Sequence, residues 1–249
     1  MKALVTGASS GIGRDIAKVL SDIGYDLILV ARRTELLEEV KAGLSTNVRI
    51  ITADLSSEKE CFELYEKTKD ENIDILVNNA GFGVFGEFTS SDIERELQMI
   101  NVNVRAVHIL TKLYLKDFVK RDSGHILNVA SIAAFYAGPL LSGYYASKNY
   151  VLRLSQAISE ELKSNKSNVK ISVLCPGPVH TEFNKVAKVK FALKGLNSMD
   201  VAKYAVGKML KGKLIIIPGF IIRLAKTFSP LLSDNIKMKF LHKVQKHKA

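Results

Sequence analysis

Residues 2–13 run Lys2-Ala3-Leu4-Val5-Thr6-Gly7-Ala8-Ser9-Ser10-Gly11-Ile12-Gly13, and the amphipathic stretch Arg14 to Ile23 follows. A short apolar strand, a glycine turn and a helix thus come in that order. Glycine lets the chain turn sharply and bring its backbone close to a phosphate, while the first turn of the helix offers unpaired amides and a partial positive charge. Gly7, Ser9, Ser10, Gly11, Ile12 and Gly13 are therefore expected to cradle an anion. The spacing is G-x-x-x-G-x-G, not the commoner G-x-G-x-x-G. A purely structural turn would use the same residues, so the motif takes its meaning from its place after the first strand.

Outward from this stretch, further apolar, β-branched runs alternate with longer amphipathic segments: Leu27 to Ala31, Val48 to Thr52, Ile73 to Val77, His125 to Val129, Lys170 to Leu174 and Leu214 to Ile217. Continuous hydrophobicity marks strands covered on both faces, and the intervening segments are long enough for right-handed helical crossovers. The pattern predicts an α/β fold, a doubly wound seven-stranded parallel sheet of the Rossmann type with helices on both faces. Ligands of such sheets bind beyond the C-terminal ends of the strands.

Nothing Pro- or Ser-rich divides the 249 residues, so 1–249 reads as a single domain. With 47% hydrophobic and 24% charged residues the composition excludes wholesale disorder. Cys61 and Cys175 stand far apart with no histidine near either in sequence, which predicts no disulfide framework and no metal site. Both thiols are expected to be small buried residues in a reducing compartment. The first apolar run starts two residues into the chain without a leader pattern, and no run approaches the length that spans a bilayer, so a cytoplasmic location is expected.

The second run ends Val30-Ala31-Arg32-Arg33, where an NAD site would place a carboxylate for the adenosine ribose. Two guanidinium groups there suit a 2′-phosphate, so NADP(H) is preferred and NAD(H) disfavoured. The alternative is a pair of arginines opening a solvated helix. Asp54, after the third run, suits either the adenine edge or the cap of a helix begun near Ser56. Asn78-Asn79-Ala80-Gly81 closes the fourth run with short residues that let backbone and cofactor approach, and its amides can tie neighbouring strands. Thirteen residues beyond Ser131 lies Tyr144, with Lys148 four positions on, hence on the same face of a helix. A free tyrosine has a pKa of about 10, and a nearby ammonium, helped by the positive ring of a nicotinamide cofactor, is expected to lower it.

Taken in order, TGASSGIG at 6–13, NNAG at 78–81, Asn103, Ser131 and the Tyr-x-x-x-Lys of Tyr144 and Lys148 resemble the short-chain dehydrogenase/reductase family, from Lys2 to about Thr181. The resemblance implies a catalytic tetrad of Asn103, Ser131, Tyr144 and Lys148. Ser131 would hold the substrate carbonyl, Tyr144 would give it a proton as hydride arrives, Lys148 would hold the nicotinamide ribose, and Asn103 would position a relay water. Asn101 competes for the asparagine role, but Ala106 stands where the family commonly has glycine after its asparagine, which favours Asn103. The resemblance extends the cofactor contacts to Leu55, Asn79, Ala80, Gly81, Pro176, Gly177, Val179 and Thr181, and implies a homodimer or homotetramer. His108, His125 and His180 are read as packing or surface residues.

Charge is uneven. Residues 185–249 hold 15 basic groups against two acids, Asp200 and Asp234, while residues 1–184 are close to neutral. Within this part, 182–199 corresponds to the family's mobile substrate lid, and its alternating apolar and basic residues suit a lipophilic, acyl-type substrate. Residues 219–249 form a basic, amphipathic, helical C-terminal extension, with Leu224, Phe228, Leu231, Leu232, Ile236, Phe240, Leu241 and Val244 near helical spacing and Pro230 as a break. Such a segment suits a peripheral membrane contact or packing against protein. Nucleic acid is not expected, since the tail has neither a nucleic-acid module nor aromatic spacing for base stacking. The reading is an NADP(H)-dependent oxidoreductase interconverting a small-molecule carbonyl and a secondary alcohol. The alternative is a non-catalytic NADP(H)-binding module docking on membranes or acidic proteins through its tail.

Overall fold

Each apolar run of the sequence becomes a strand in the computed structural model, which describes residues 1–183, 195–229 and 232–246. The strands are β1 (Lys2–Thr6), β2 (Asp26–Ala31), β3 (Val48–Thr52), β4 (Ile75–Asn78), β5 (His125–Val129), β6 (Lys170–Leu174) and β7 (Ile215–Ile216). All neighbours pair in parallel, in the order β3-β2-β1-β4-β5-β6-β7. The chain reverses direction across the sheet between β1 and β4.

The strands are apolar at successive positions because successive side chains enter different layers. Ala3, Val5, Leu27, Leu29, Ile75 and Val77 pack on one face with residues of helices α1 (Gly11–Asp22), α2 (Thr34–Ala42) and α7 (Ser198–Leu210). Leu4, Ile28, Val30, Leu76 and Ile126 pack on the other with α3 (Glu58–Glu66), α5 (Val107–Lys120) and α6 (Ser142–Ser164). Helix α4 (Ile93–Ile100) runs into a π-helical turn, Asn101–Ala106, and from there into α5. Both cysteines are free and buried, as the sequence led us to expect.

Two boundaries differ from the sequence reading. Ile73 is buried, but Asp74 accepts the Lys2 amide with its carboxylate at 2.7 Å, and the ladder of β4 begins only at Ile75. Strand β7 shrinks to two residues paired with Val173 and Leu174. Beyond it lie α8 (Phe220–Phe228) and α9 (Asp234–Lys246). The expected break at Pro230 falls outside the described residues, as does Leu231, although the two helices end and begin on either side of it.

Gly124 joins α5 to β5 with φ +141, and a Cβ there would lie 2.4 Å from the Phe118 ring. Backbone strain and overpacking therefore coincide. Gly124→Ala is expected to lower stability by about 2 to 3 kcal/mol, measured in urea as a fall in midpoint with the slope unchanged.

Candidate active site

Where β1 and β4 part, the ladder between them stops at Val5 and Val77, and side chains bridge the gap beyond it. The Thr6 hydroxyl accepts the Asn79 and Ala80 amides at 2.9 and 3.1 Å and donates to the Val77 carbonyl at 3.2 Å. Asn79 Nδ2 donates to the carbonyls of Thr6 and Gly7 at 3.0 and 3.1 Å. Beneath them, buried Asn78 donates to Asn128 at 2.9 Å and to Thr111 at 3.1 Å. The crevice beside this joint has a volume of about 630 Å³.

The glycine turn forms one end of the crevice. Gly7 and Gly11 have φ of +63 and +55, and a Cβ on Gly13 would meet Asn79 Nδ2 at 2.3 Å and the Gly7 carbonyl at 2.4 Å. Gly7, Ser9, Ser10, Gly11 and Ile12 line the crevice, whereas Gly13 lies behind the wall and permits close packing of the turn. Ser10 is the N-cap of α1, and its side chain makes no capping bond. The first amides of α1 thus face the crevice without a side-chain acceptor, and the cradle fits a pyrophosphate.

Arg32 and Arg33 line the same end. Arg33 Nη2 lies 3.3 and 3.4 Å from the hydroxyls of Ser9 and Ser10, over the glycine turn. No carboxylate directly follows β2 in sequence, but Glu182 reaches Arg33 at 2.8 Å from 149 residues away. Arg32 Nη1 is 4.0 Å from Asp54. Asp54 does not cap α3, whose N-cap is Ser57; its carboxylate accepts the Ser56 amide at 2.9 Å, and its side chain lines the crevice with Leu55.

At the other end, α6 brings Tyr144 and Lys148 to the crevice, where Ser131, Asn79, Ala80, Gly81, Pro176, Gly177, Val179 and Thr181 also lie. Lys148 is 4% exposed and donates to the Val129 carbonyl at 2.9 Å. Asn103 is buried just behind this surface, in the π-helical turn. It donates to the Phe82 carbonyl at 2.9 Å and to Ser147 at 3.1 Å, and accepts the Phe82 amide at 3.1 Å. A Cβ on Gly81 would lie 2.8 Å from Asn103 Oδ1 and 3.2 Å from Lys148 Nζ, so both groups converge on the space beside that glycine. Asn101 instead pairs with Arg105 on the surface side.

The protein's own groups act against the expected lowering of the Tyr144 pKa. Burial pushes the phenol up to about 12, and a hydrogen bond from Ser131 only partly offsets that. Lys148 Nζ lies 5.9 Å from the centre of the Tyr144 ring. Its own pKa falls to about 8, because burial disfavours the ammonium.

The far wall holds Phe183, from the start of the expected lid, and residues that the sequence reading did not place there. Phe183 meets the Tyr144 ring at 5.3 Å between centroids, and Leu141, Tyr145, Phe240, Leu241 and Val244 line the same space. Gln245 of α9 is fully buried and donates to the Tyr145 hydroxyl at 2.8 Å. The apolar residues of the tail are therefore divided. Leu241 and Val244 turn inward, whereas Phe220, Ile221, Leu224 and Phe228 of α8 are exposed. Most of the expected lid, 184–194, lies outside the described residues; Ser198 and Met199 already belong to α7. No helix among the described residues is long and apolar enough to cross a membrane. His108 bonds Tyr150, and His180 is exposed. His125 bonds Ser172, with burial holding its pKa down to about 4.

Because Lys148 titrates lower in the folded state, the cost of its charge is fully present below about pH 8 and disappears as pH rises towards the ordinary lysine value. Relative to Lys148→Met, the wild-type protein is expected to gain up to about 3 kcal/mol between pH 8 and pH 10.5. Parallel urea titrations across that range would check it; a stability gap that does not move with pH would contradict the burial argument.

Comparison with known proteins agrees with this geometry. The short chain dehydrogenase family model matches residues 1–190. An uncharacterized oxidoreductase of Staphylococcus saprophyticus is 35% identical over 210 residues, covering 82% of this chain and 88% of that protein. The very-long-chain 3-oxoacyl-CoA reductase-B of Danio rerio is 33% identical over 194 residues, covering 75% of this chain and 62% of that protein. Among solved structures, a short-chain dehydrogenase from Sphingobium yanoikuyae in complex with NADPH superposes with a TM-score of 0.83 at 27% identity, over 95% of this chain and 93% of that one. The chain belongs to the short-chain dehydrogenase family, and it is an oxidoreductase of that family.

Proposed function

We propose that the protein interconverts a carbonyl and a secondary alcohol on a lipophilic, acyl-type substrate, with NADP(H) as the redox partner. The observation that carries this reading is the convergence of the Ser131 and Tyr144 hydroxyls and the Lys148 ammonium in one crevice with the glycine cradle of α1. Gly7, Ser9, Ser10, Gly11 and Ile12 would hold the pyrophosphate, with Arg32 and Arg33 at the adenosine end. Bound there, NADPH supplies a hydride to the carbonyl carbon.

In the reductive direction the Ser131 hydroxyl donates a hydrogen bond to the carbonyl oxygen, and Tyr144 passes its proton to that oxygen as the C–H bond forms. Burial keeps Tyr144 protonated until then. The phenolate left behind takes a proton from the Lys148 side, and Asn103 fixes the backbone at Phe82 beside that path. The apolar far wall supports a lipophilic substrate, as does the likeness to a relative named a very-long-chain 3-oxoacyl-CoA reductase.

A panel of 3-oxoacyl thioesters, hydroxysteroids and small ketones, followed by nicotinamide absorbance, tests the reaction. Tyr144→Phe is expected to lower kcat by roughly 10²- to 10⁴-fold while leaving cofactor binding intact. Equal turnover by variant and wild type would remove Tyr144 as the acid, and no turnover of any carbonyl would favour a non-catalytic binding module. Arg33→Ala is expected to raise the Kd for NADPH by roughly 10- to 100-fold with a much smaller effect on NADH. Similar losses for both cofactors would place no 2′-phosphate at Arg33.

A further inference from the structure

Helix α9 is docked in an unusual way for a terminal amphipathic segment. Its one fully buried side chain is polar, Gln245, while Phe240 is 65% exposed and Ile236 55%. A helix packed simply to bury apolar surface would do the reverse. Several of its contacts point to the crevice: Leu241 packs on the cluster of Ala133, Leu141 and Tyr145, and Phe240, Leu241 and Val244 line the cavity itself. Gln245 Nε2 is held by the Tyr145 hydroxyl at 2.8 Å, while Oε1 has no partner among the described residues. Tyr145 directly follows Tyr144 on α6, so the clasp fixes α9 beside the proposed proton donor.

We propose that α9 forms a subsite for the apolar chain of the substrate, built from Phe240, Leu241 and Val244 and held shut by the Tyr145–Gln245 hydrogen bond. This rests on the carbonyl-oxidoreductase reading above and adds the feature that selects among its substrates. The subsite accepts an alkyl chain or a comparably bulky hydrocarbon group extending from the reacting carbonyl. Phe240, at once exposed and facing the cavity, is the rim over which that group passes.

The chain contains no tryptophan, so Phe240→Trp introduces a single indole at the rim. In the presence of NADP⁺, with no reduction under way, 3-oxodecanoyl-CoA is expected to shift its emission to shorter wavelength, and acetoacetyl-CoA is not. Val244→Phe, which fills the wall, is expected to lower the ratio of kcat/KM for 3-oxodecanoyl-CoA over acetoacetyl-CoA by at least about tenfold. Tyr145→Phe, which removes the clasp hydroxyl, is expected to raise KM for the longer thioester by about fivefold, more than it lowers kcat. An indole unmoved by the longer thioester, or an unchanged ratio in a folded Val244→Phe, overturns the subsite. If Val244→Phe does not fold, the indole titration alone decides. An indole response without turnover of either thioester would leave the subsite standing and defeat the reaction reading instead; turnover without a response would do the opposite.

Discussion

A hydroxyl has one proton to give and two lone pairs to fill, and Thr6 uses all three where β1 and β4 separate. Those strands lead into connections on opposite sides of the sheet, and the ladder between them ends at Val5 and Val77, so the groups beyond it that face each other need other partners. With Asn79 spanning to the Thr6 and Gly7 carbonyls, the joint fixes the glycine turn against the segment Ala80–Gly81. The requirement for glycine at 7 and 13 follows from this closeness as much as from any ligand. Every functional group of the crevice is placed relative to it. The cradle of α1 lies on one side, and Asn103 and Lys148 meet beside Gly81 on the other.

The electrostatics of the site follow from the burial of its ionisable groups among protein atoms. The crevice resists charge on both groups: it holds the tyrosine as a phenol and eases a proton off the lysine. Sequence spacing gives only that two side chains share a helix face. Whether attraction or dehydration wins depends on where the ammonium is directed, and here it is bound to the Val129 carbonyl. The order of protonation suits reduction, in which the phenol must still carry its proton when the hydride arrives.

How much was legible varied with the range of the contact. The strands were readable because burial on both faces leaves a continuous apolar run, and Tyr144, Lys148, Ser131 and the glycine turn were readable because each motif is local or follows a strand end. Asn103 could be preferred to Asn101 only through family resemblance, since its burial comes from Phe82 and Ser147, on other elements. Two further residues were out of reach. Glu182 meets Arg33 and Gln245 meets Tyr145 across 149 and 100 residues, and neither position carries a periodic signal. Gly177 shows the same limit: its proline-glycine setting read as a cofactor segment, yet a Cβ there would also strike Ile222 of α8 at 2.2 Å, so the residue serves packing too.

The π-helical turn at Asn101–Ala106 amounts to one surplus residue in an otherwise continuous run of helix from Ile93 to Lys120. Each residue advances a helix by about 100°, so removing one there would restore ordinary winding and swing one flank around relative to the other. Sister sequences that are one position shorter in this stretch should consequently either have changed the asparagine or moved it along by one. Length at this point, more than identity, then becomes the quantity to watch when sequences are aligned.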